Sequence, residues 1–569
     1  MKDTNLKFEQ YPLRVPTEKR TLNKLESLIK DLEECGSATT AKLAIKHWNK
    51  FGEELGTDCG VIQTRYTLDT TNKVYKNAQD RVDELSPTFS KYSNEFEKIL
   101  LKAKYRKDLE KIYGKYLFKM YENNQKAFDP KIIPDLIEEN KLTSRYDEIL
   151  GGARIEFRGQ IYNLSQLGKF LSDKDRETRK EASIAMDKWL GEHEAEIAEV
   201  YDKLVHLRDG MAKKLGFKNF IELGYIRLGR TDYNAKMVKG YREQIQREVV
   251  PIAQKLLKKQ MKDLGIKDPQ SFDYNLKFLT GNPVPVGNSK VLVGHAKTMY
   301  EKMSKESGEF INFMIDHHLL DLDARPGKAP GGYCTYFPVY KAPFIFSNFN
   351  GTEGDVNVLC HEGGHAFQAY LSSGIKIPEY QNPTLESCEI HSMSMEFFTW
   401  PYMNLFFGKD AEKYKYSHLS DAIEFLPYGI TIDEFQHWVY EHPNATHEER
   451  CAKYKEIESR NLPHSRYDYC PVLNKGTRWM RQSHVFGTPF YYIDYTLAQV
   501  VAFQFLAEDL KNHEKAWKKY VKLCKLGGQL PFTGLLEKVH LRNPFEEGNV
   551  KKNVAPLLKV LKGFDTSKF

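Results

Sequence analysis

From Pro16 to about Trp189 the apolar residues return every three or four positions, as in Leu22, Leu25, Leu28, Ile29 and Leu32, while glycine and proline are sparse. That interval lines one face of a helix, so this stretch reads as a lobe of amphipathic helices. A second series runs from Glu181 through Ile197, Tyr201, Leu204, Val205 and Met211 to Leu215 and closes at Gly216. A third, from Met237 to about Leu264, is interrupted at Val250-Pro251, where the proline ring removes a helix donor. The pattern changes between Asp321 and Gly351. Gly327, Pro330, Gly331 and Gly332 precede two β-prone aromatic runs, Tyr333 to Tyr340 and Phe344 to Phe349, which predict a small sheet at about 331–350. Pro338 in the first run cannot donate to a ladder and Pro343 opens the second, so at least one strand should lie at a sheet edge. Helical spacing resumes at Val356 and continues to the C-terminus. The expected class is mostly α, with one small sheet just before the most informative helix.

Composition narrows the function. Over 569 residues, 41% hydrophobic and 28% charged residues exclude a disordered chain. The net charge of +7 is spread without a dense basic block, so no nucleic-acid partner is expected. The eight cysteines, Cys35, Cys59, Cys334, Cys360, Cys388, Cys451, Cys470 and Cys524, form no C-x-x-C pair, which points away from a disulfide framework or a thiolate metal site. No apolar stretch has the length of a signal peptide or a membrane span, so no membrane partner is expected and the cytoplasm is the expected location.

The segment His361-Glu362-Gly363-Gly364-His365 carries the chemistry. Residues four apart stack on one helix face, so both imidazoles can reach one ion, and Glu362 projects close enough to touch a water held by it. Gly363 and Gly364 each cost about 1 kcal/mol relative to alanine in a helix interior, which implies that another backbone or a ligand approaches closely. A catalytic zinc site needs a third protein ligand, and two histidines with a glutamate form a known set. Downstream, Asn382-Pro383 reads as the cap and first residue of a helix carrying Glu386, Glu389 and Glu396. Glu386, Glu389, Met393 and Glu396 share one stripe, and spacing alone does not choose among the acids. His391 is two positions from Glu389 and so points elsewhere, into the core or behind the ligands. Asp355 precedes the motif and reads either as a support or as a cap. His317 and His318 read as a helix end.

The sequences His361-Glu-Gly-Gly-His365-Ala-Phe-Gln and Glu389-Ile-His-Ser-Met-Ser-Met-Glu396-Phe-Phe together resemble the thimet oligopeptidase and oligoendopeptidase F family of zinc peptidases. The resemblance covers much of the chain from about Glu181 onward, and the Gly-Gly pair brings it nearest to the bacterial oligoendopeptidase F branch. It implies one Zn2+ per chain held by His361, His365 and Glu389, with Glu362 as general base and Glu396 supporting a ligating histidine. It also draws in Arg481-Gln-Ser-His484-Val-Phe-Gly-Thr-Pro-Phe-Tyr491-Tyr492-Ile-Asp-Tyr495, which on its own reads as an aromatic core cluster at a loop-to-helix junction. By resemblance His484 and Tyr495, then Tyr492, face the metal and stabilise an oxyanion, with Tyr491 a further candidate. The implied architecture is an elongated, two-lobed helical ellipsoid with a deep channel for oligopeptides. It comprises an N-terminal helical lobe over residues 1–180 and a zinc metallopeptidase catalytic region over 181–569.

The expected function is therefore zinc-dependent hydrolysis of internal bonds in oligopeptides. Two alternatives stand beside it: a helical peptide-binding scaffold with a structural zinc, and a zinc carboxypeptidase, which would need a cation for the substrate's terminal carboxylate. An exposed strand edge between Tyr333 and Phe349 would let an extended peptide add as a further strand.

Overall fold

A computed structural model describes residues 6–569. Helices dominate it. The first five, Glu18–Glu33, Ala38–Leu68, Lys73–Lys102, Arg106–Tyr113 and Lys115–Ala127, enclose a core of their own in which Leu25, Ile29, Leu32, Ile45, Phe96, Leu100 and Phe118 are buried. Trp48 stacks on Phe96 there at 4.4 Å between ring centroids, and Tyr380 enters from the far part of the chain. Tyr380 ties this bundle down by accepting from the Leu117 amide at 2.9 Å and donating to the Tyr113 carbonyl at 3.0 Å. A second, larger core gathers side chains from Phe8 to Leu561, including Tyr146, Leu190, Tyr201, Phe310, Phe367, Met395, Leu426, Trp479 and Val501.

Two small sheets interrupt the helices. The first is a hairpin within the stretch expected to be wholly helical: β1 (Ile155–Phe157) pairs antiparallel with β2 (Gln160–Tyr162). Its two-residue turn, Arg158-Gly159, has φ of 51° and 77°, the conformation that matches strand twist in tight hairpins. Strands of three residues are too short to show a period of two, so the helical pattern around them concealed the hairpin.

The second sheet contains β3 (Leu320–Asp323), β4 (Tyr333–Phe337) and β5 (Ala342–Phe349) in the order β3-β5-β4. β3 runs parallel to β5 and β4 antiparallel to it. The sequence pattern missed β3, whose Leu-Asp-Leu-Asp carries few β-formers. β4 ends at Phe337, before Pro338, and lies at an edge as expected. Pro343 instead sits inside the central strand, opposite Tyr336. The Ile345 amide donates to the Leu319 carbonyl, so the same side of the strand two residues earlier faces past the end of β3. A proline there removes no ladder bond.

The motif helix, Glu353–Ser372, follows β5 directly. Asp355 sets the angle of entry by accepting from the amides of Asn350 and Gly351 at 2.9 and 2.7 Å, so its role is that of a loop brace. The glutamate helix spans Leu385–Phe398. It begins later than expected: Thr384, extended at φ −63° and ψ 158°, occupies the cap position, and Asn382-Pro383 belong to the preceding loop. The Asn382 carbonyl packs closely against Gly528, where a Cβ would collide with it. Among the described residues no helix is long and apolar enough to cross a membrane.

Candidate metal centre

The motif and glutamate helices meet backbone to backbone. A Cβ on Gly364 would lie 2.6 Å from Ser392 Cα and 2.7 Å from the His391 carbonyl oxygen, and one on Gly363 would collide with the Tyr300 hydroxyl. Gly364 is explained by this crossing, which brings Glu389 over the two histidines, and Gly363 by the packing of Tyr300 from the helix Ser289–Met303. His361 Nε2 lies 3.2 Å and His365 Nε2 3.5 Å from Glu389 Oε2. Ligand atoms of His361, His365 and Glu389 all fall within 4.8 Å of one another. The other acids separate clearly. Glu386 turns away to a buried group with Arg230 and Asp494, where burial pushes its pKa up to about 7. Glu396 lies behind the trio of His361, His365 and Glu389, against His361 Nδ1.

Charge in this cluster is arranged for a cation. Burial alone would lower the His361 pKa, yet its hydrogen bonds to Glu389 and Glu396 carry it well above the usual histidine range. Burial alone would raise that of Glu389, yet His365 and His361 hold it well below the usual carboxylate range. Glu396 is held down to about 2 against its burial by His361 and His418. His361 Nδ1 donates to Glu396 Oε1 at 2.7 Å, which fixes the ring with Nε2 facing the cluster.

His418, in the helix Ala411–Glu441, completes the support: its Nε2 donates to Glu396 Oε2 at 2.7 Å, and its Nδ1 accepts from Trp400 Nε1 at 3.0 Å. No motif marked either residue, and only the tertiary crossing of helices places them here. His391 is fully buried and held neutral by that burial, its pKa lowered to about 3, so it belongs to the core beside Tyr520. His317 and His318 close the helix Lys305–Asp316, as expected.

Glu362 is 8% exposed and makes no hydrogen bond or ion pair among the described residues. A carboxylate next to the ligand cluster with both oxygens uncommitted is free to accept a proton from a bound molecule.

The tyrosine loop approaches from the other side. Phe490, at φ 67°, makes the sharp turn before the helix Tyr492–Asp509. This strained position for an aromatic residue is held by Gln436, which accepts from its amide at 3.0 Å, and by Arg230, which donates to its carbonyl at 2.7 Å. The turn delivers the Tyr491 hydroxyl to Glu389 Oε1 at 2.5 Å. His484 Nε2 pairs with the Tyr495 hydroxyl at 3.2 Å, while its Nδ1 accepts from Gln482 Nε2 at 2.8 Å, and Tyr428 donates to Gln482 Oε1 at 3.0 Å. With Nδ1 occupied, His484 carries its proton on Nε2, and burial lowers its pKa, so it stays neutral. Tyr492 turns its ring to Phe425, Tyr428 and His484, at centroid distances of 5.8, 5.7 and 5.1 Å, one layer behind Tyr495. Tyr491, held as a candidate from the sequence, is thus the tyrosine that touches a ligand-cluster residue, and Tyr492 is not seen to do so.

Residues 299–554 match the model for peptidase family M3, and residues 8–128 match that for the peptidase M3 N-terminal domain. A solved structure provisionally described as an oligoendopeptidase F shares 45% identity over 99% of this chain and 100% of its own, with a TM-score of 0.96. The chain belongs to the M3 family of peptidases. PZ peptidase A, solved with an inhibitor, shares 46% identity over 98% of this chain and 100% of its own, again at a TM-score of 0.96. An M3-type structure from Bacillus anthracis str. Ames, also provisionally described as an oligoendopeptidase F, gives 44% identity, 99% coverage of both chains and a TM-score of 0.91. No curated protein matches the chain. As an M3 member it is a peptide hydrolase of the metallopeptidase type, similar to oligoendopeptidases. The family implies a resident metal ion, and the donor set fits one: two imidazole nitrogens and a carboxylate oxygen converge, with the rear nitrogen of His361 already bound to Glu396.

Proposed function

We propose that this M3 member is a zinc-dependent endopeptidase acting on oligopeptides, with His361, His365 and Glu389 as the metal ligands. The observation that carries the reading is the free carboxylate of Glu362 one residue from His361 in a three-donor cluster, the number of protein ligands that a catalytic zinc site uses. A zinc ion held by His361, His365 and Glu389 would lower the pKa of bound water toward about 7 and polarise a carbonyl. Glu362 accepts the proton of the attacking water and returns it to the leaving amine, so no covalent intermediate with the protein is needed.

Charge that develops on the scissile carbonyl oxygen meets donors from His484 and Tyr495. Gln482 fixes the His484 tautomer so that its Nε2–H points toward Tyr495 and the cluster. Tyr491 holds Glu389 from behind. Tyr492 supports these rings. Edge strand β4, which borders the motif helix, supports addition of an extended peptide by main-chain hydrogen bonds.

The test is a pair of variants. Glu362→Gln is expected to lose cleavage by about 10²-fold or more with zinc retained, and Glu389→Ala to lose zinc. Wild-type turnover in either variant overturns the assignment.

A further inference from the structure

Arg478 and Arg481 stand at the two ends of the short 3-10 turn that leads into Gln482 and His484. Arg478 is engaged. Its Nη1 donates to Glu458 Oε1 at 3.2 Å and to the Tyr467 hydroxyl at 3.3 Å, and its guanidinium lies 4.4 Å from the centre of the Tyr428 ring. Arg481 has no such partner. Among the described residues its only hydrogen-bond contact is a weak one from Nη2 to Met186 Sδ at 3.9 Å, and no carboxylate pairs with it.

The titratable groups that act most strongly on Arg481 include no acid. Its titratable neighbours are Arg478, Tyr428, Tyr146 and Cys470. Burial pushes both tyrosines and the thiol up, so all three are neutral at physiological pH. Burial and the Arg478 guanidinium together lower the pKa of Arg481 itself, so its charge is held against its environment. A half-buried guanidinium beside a second cation is costly unless an anion arrives to pair with it. Its planar fork matches a carboxylate in two parallel hydrogen bonds.

Arg481 directly precedes Gln482 in the chain, and Tyr428 joins Gln482 to the proposed reaction centre. Its hydroxyl donates to Gln482, which orients His484, and its ring stands 5.7 Å from that of Tyr492, itself 5.1 Å from His484. Arg481 is therefore the chain neighbour of the residue that orients His484, a donor assigned to the carbonyl oxygen.

We propose that Arg481 receives a carboxylate of the peptide substrate, and so sets which bond is presented to Glu362. The carboxylate is either the free C-terminus or an acidic side chain near the scissile bond. The inference rests on the peptidase reading above, and it names the substrate feature that reading leaves open.

The experiment uses zinc-loaded full-length protein and a set of quenched fluorescent peptides with one common core. One arm compares free-acid with amidated C-termini, and the other replaces Glu by Gln at each flanking position in the amidated series. Wild type should favour one carboxylate-bearing peptide over its neutral twin by at least about tenfold in kcat/KM, mainly through KM. Arg481→Gln should bring that ratio to within about twofold of unity, and Arg481→Lys should keep part of it. The arm in which the ratio collapses identifies the source of the carboxylate. Equal kcat/KM for every acid and neutral pair in wild type overturns the inference while leaving the peptidase reading intact. A ratio unchanged in Arg481→Gln also overturns it. Absence of cleavage of every peptide by wild type instead refutes the peptidase reading. Far-UV circular dichroism and zinc content of each variant separate loss of the ratio from loss of the fold.

Discussion

The indole N–H of Trp400 donates to Nδ1 of His418 at 3.0 Å, and because an indole nitrogen cannot accept, this one bond determines the His418 tautomer. The proton must reside on Nε2, where it meets Glu396 Oε2 at 2.7 Å. Glu396 thereby keeps its other oxygen for His361. Removing this support should weaken zinc binding. His418→Leu is expected to lower zinc affinity by about 10- to 100-fold, measured by competition with a chromophoric chelator. His418→Gln, whose amide can accept from Trp400 and donate to Glu396, should recover most of the loss. Equal affinity in wild type and the leucine variant counts against the relay.

The three tyrosines of the loop should separate by readout. Tyr495→Phe removes a donor aimed at developing charge and should lower kcat by about 10²-fold with little change in KM. Tyr491→Phe removes the hydrogen bond to Glu389, so its main effect should be on zinc affinity, by about tenfold. Tyr492→Phe keeps the ring that packs on Phe425 and Tyr428, so kcat should change by less than about threefold. Steady-state kinetics with zinc titration distinguishes the three, and a Tyr492 effect as large as that of Tyr495 reverses their assignment.

Gly364→Ala tests the contact between the two ligand-bearing helices. Alanine favours the helix by about 1 kcal/mol, but its methyl must displace Ser392 and His391, and overpacking of this kind costs about 1–3 kcal/mol. The expected outcome is net destabilisation in urea unfolding with weakened zinc binding. A stabilised variant would show that the helices part easily.

Glu353, in the first turn of the motif helix, gives a pH signature. Burial, and next the negative charge of Asp421, push its pKa up to about 8 despite Lys277 and Lys413. A carboxyl whose folded pKa is raised contributes stability that is full below its unfolded value of about 4.5 and is lost as pH rises through about 8. Glu353→Gln cannot ionise, so its urea midpoint should gain on wild type between pH 5 and pH 8.5. A constant difference across that range argues that Glu353 is ionised throughout.

Much of this site was legible because its parts are local. His361, Glu362 and His365 lie within one helical turn, and the Gly363-Gly364 pair announced a close crossing before its partner was known. Choosing Glu389 over Glu386 needed either the family motif or the crossing itself, since both acids share one stripe. Residues joined only by tertiary packing left no local trace: Trp400 and His418 act on Glu396, and Tyr428 on Gln482, from separate elements. The same holds for β3, whose partner strand β5 lies more than twenty residues downstream and whose acidic alternation resembles an exposed turn. At Asn382-Pro383 the local cap chemistry placed the helix start two residues early, Thr384 being the observed cap. Adjacent tyrosines pose a different difficulty, because which of Tyr491 and Tyr492 turns inward depends on the strained φ of Phe490.

The crossing at Gly364 has a bearing on how the protein acquires its ion. Steric contact between two rigid rods, rather than attraction to the ion, spaces the imidazoles from the carboxylate, so the cage should stand ready-made before loading. Uptake and release can then proceed as simple exchange on an already assembled scaffold, and a chelated sample should regain function on replenishment without passing through a denatured state.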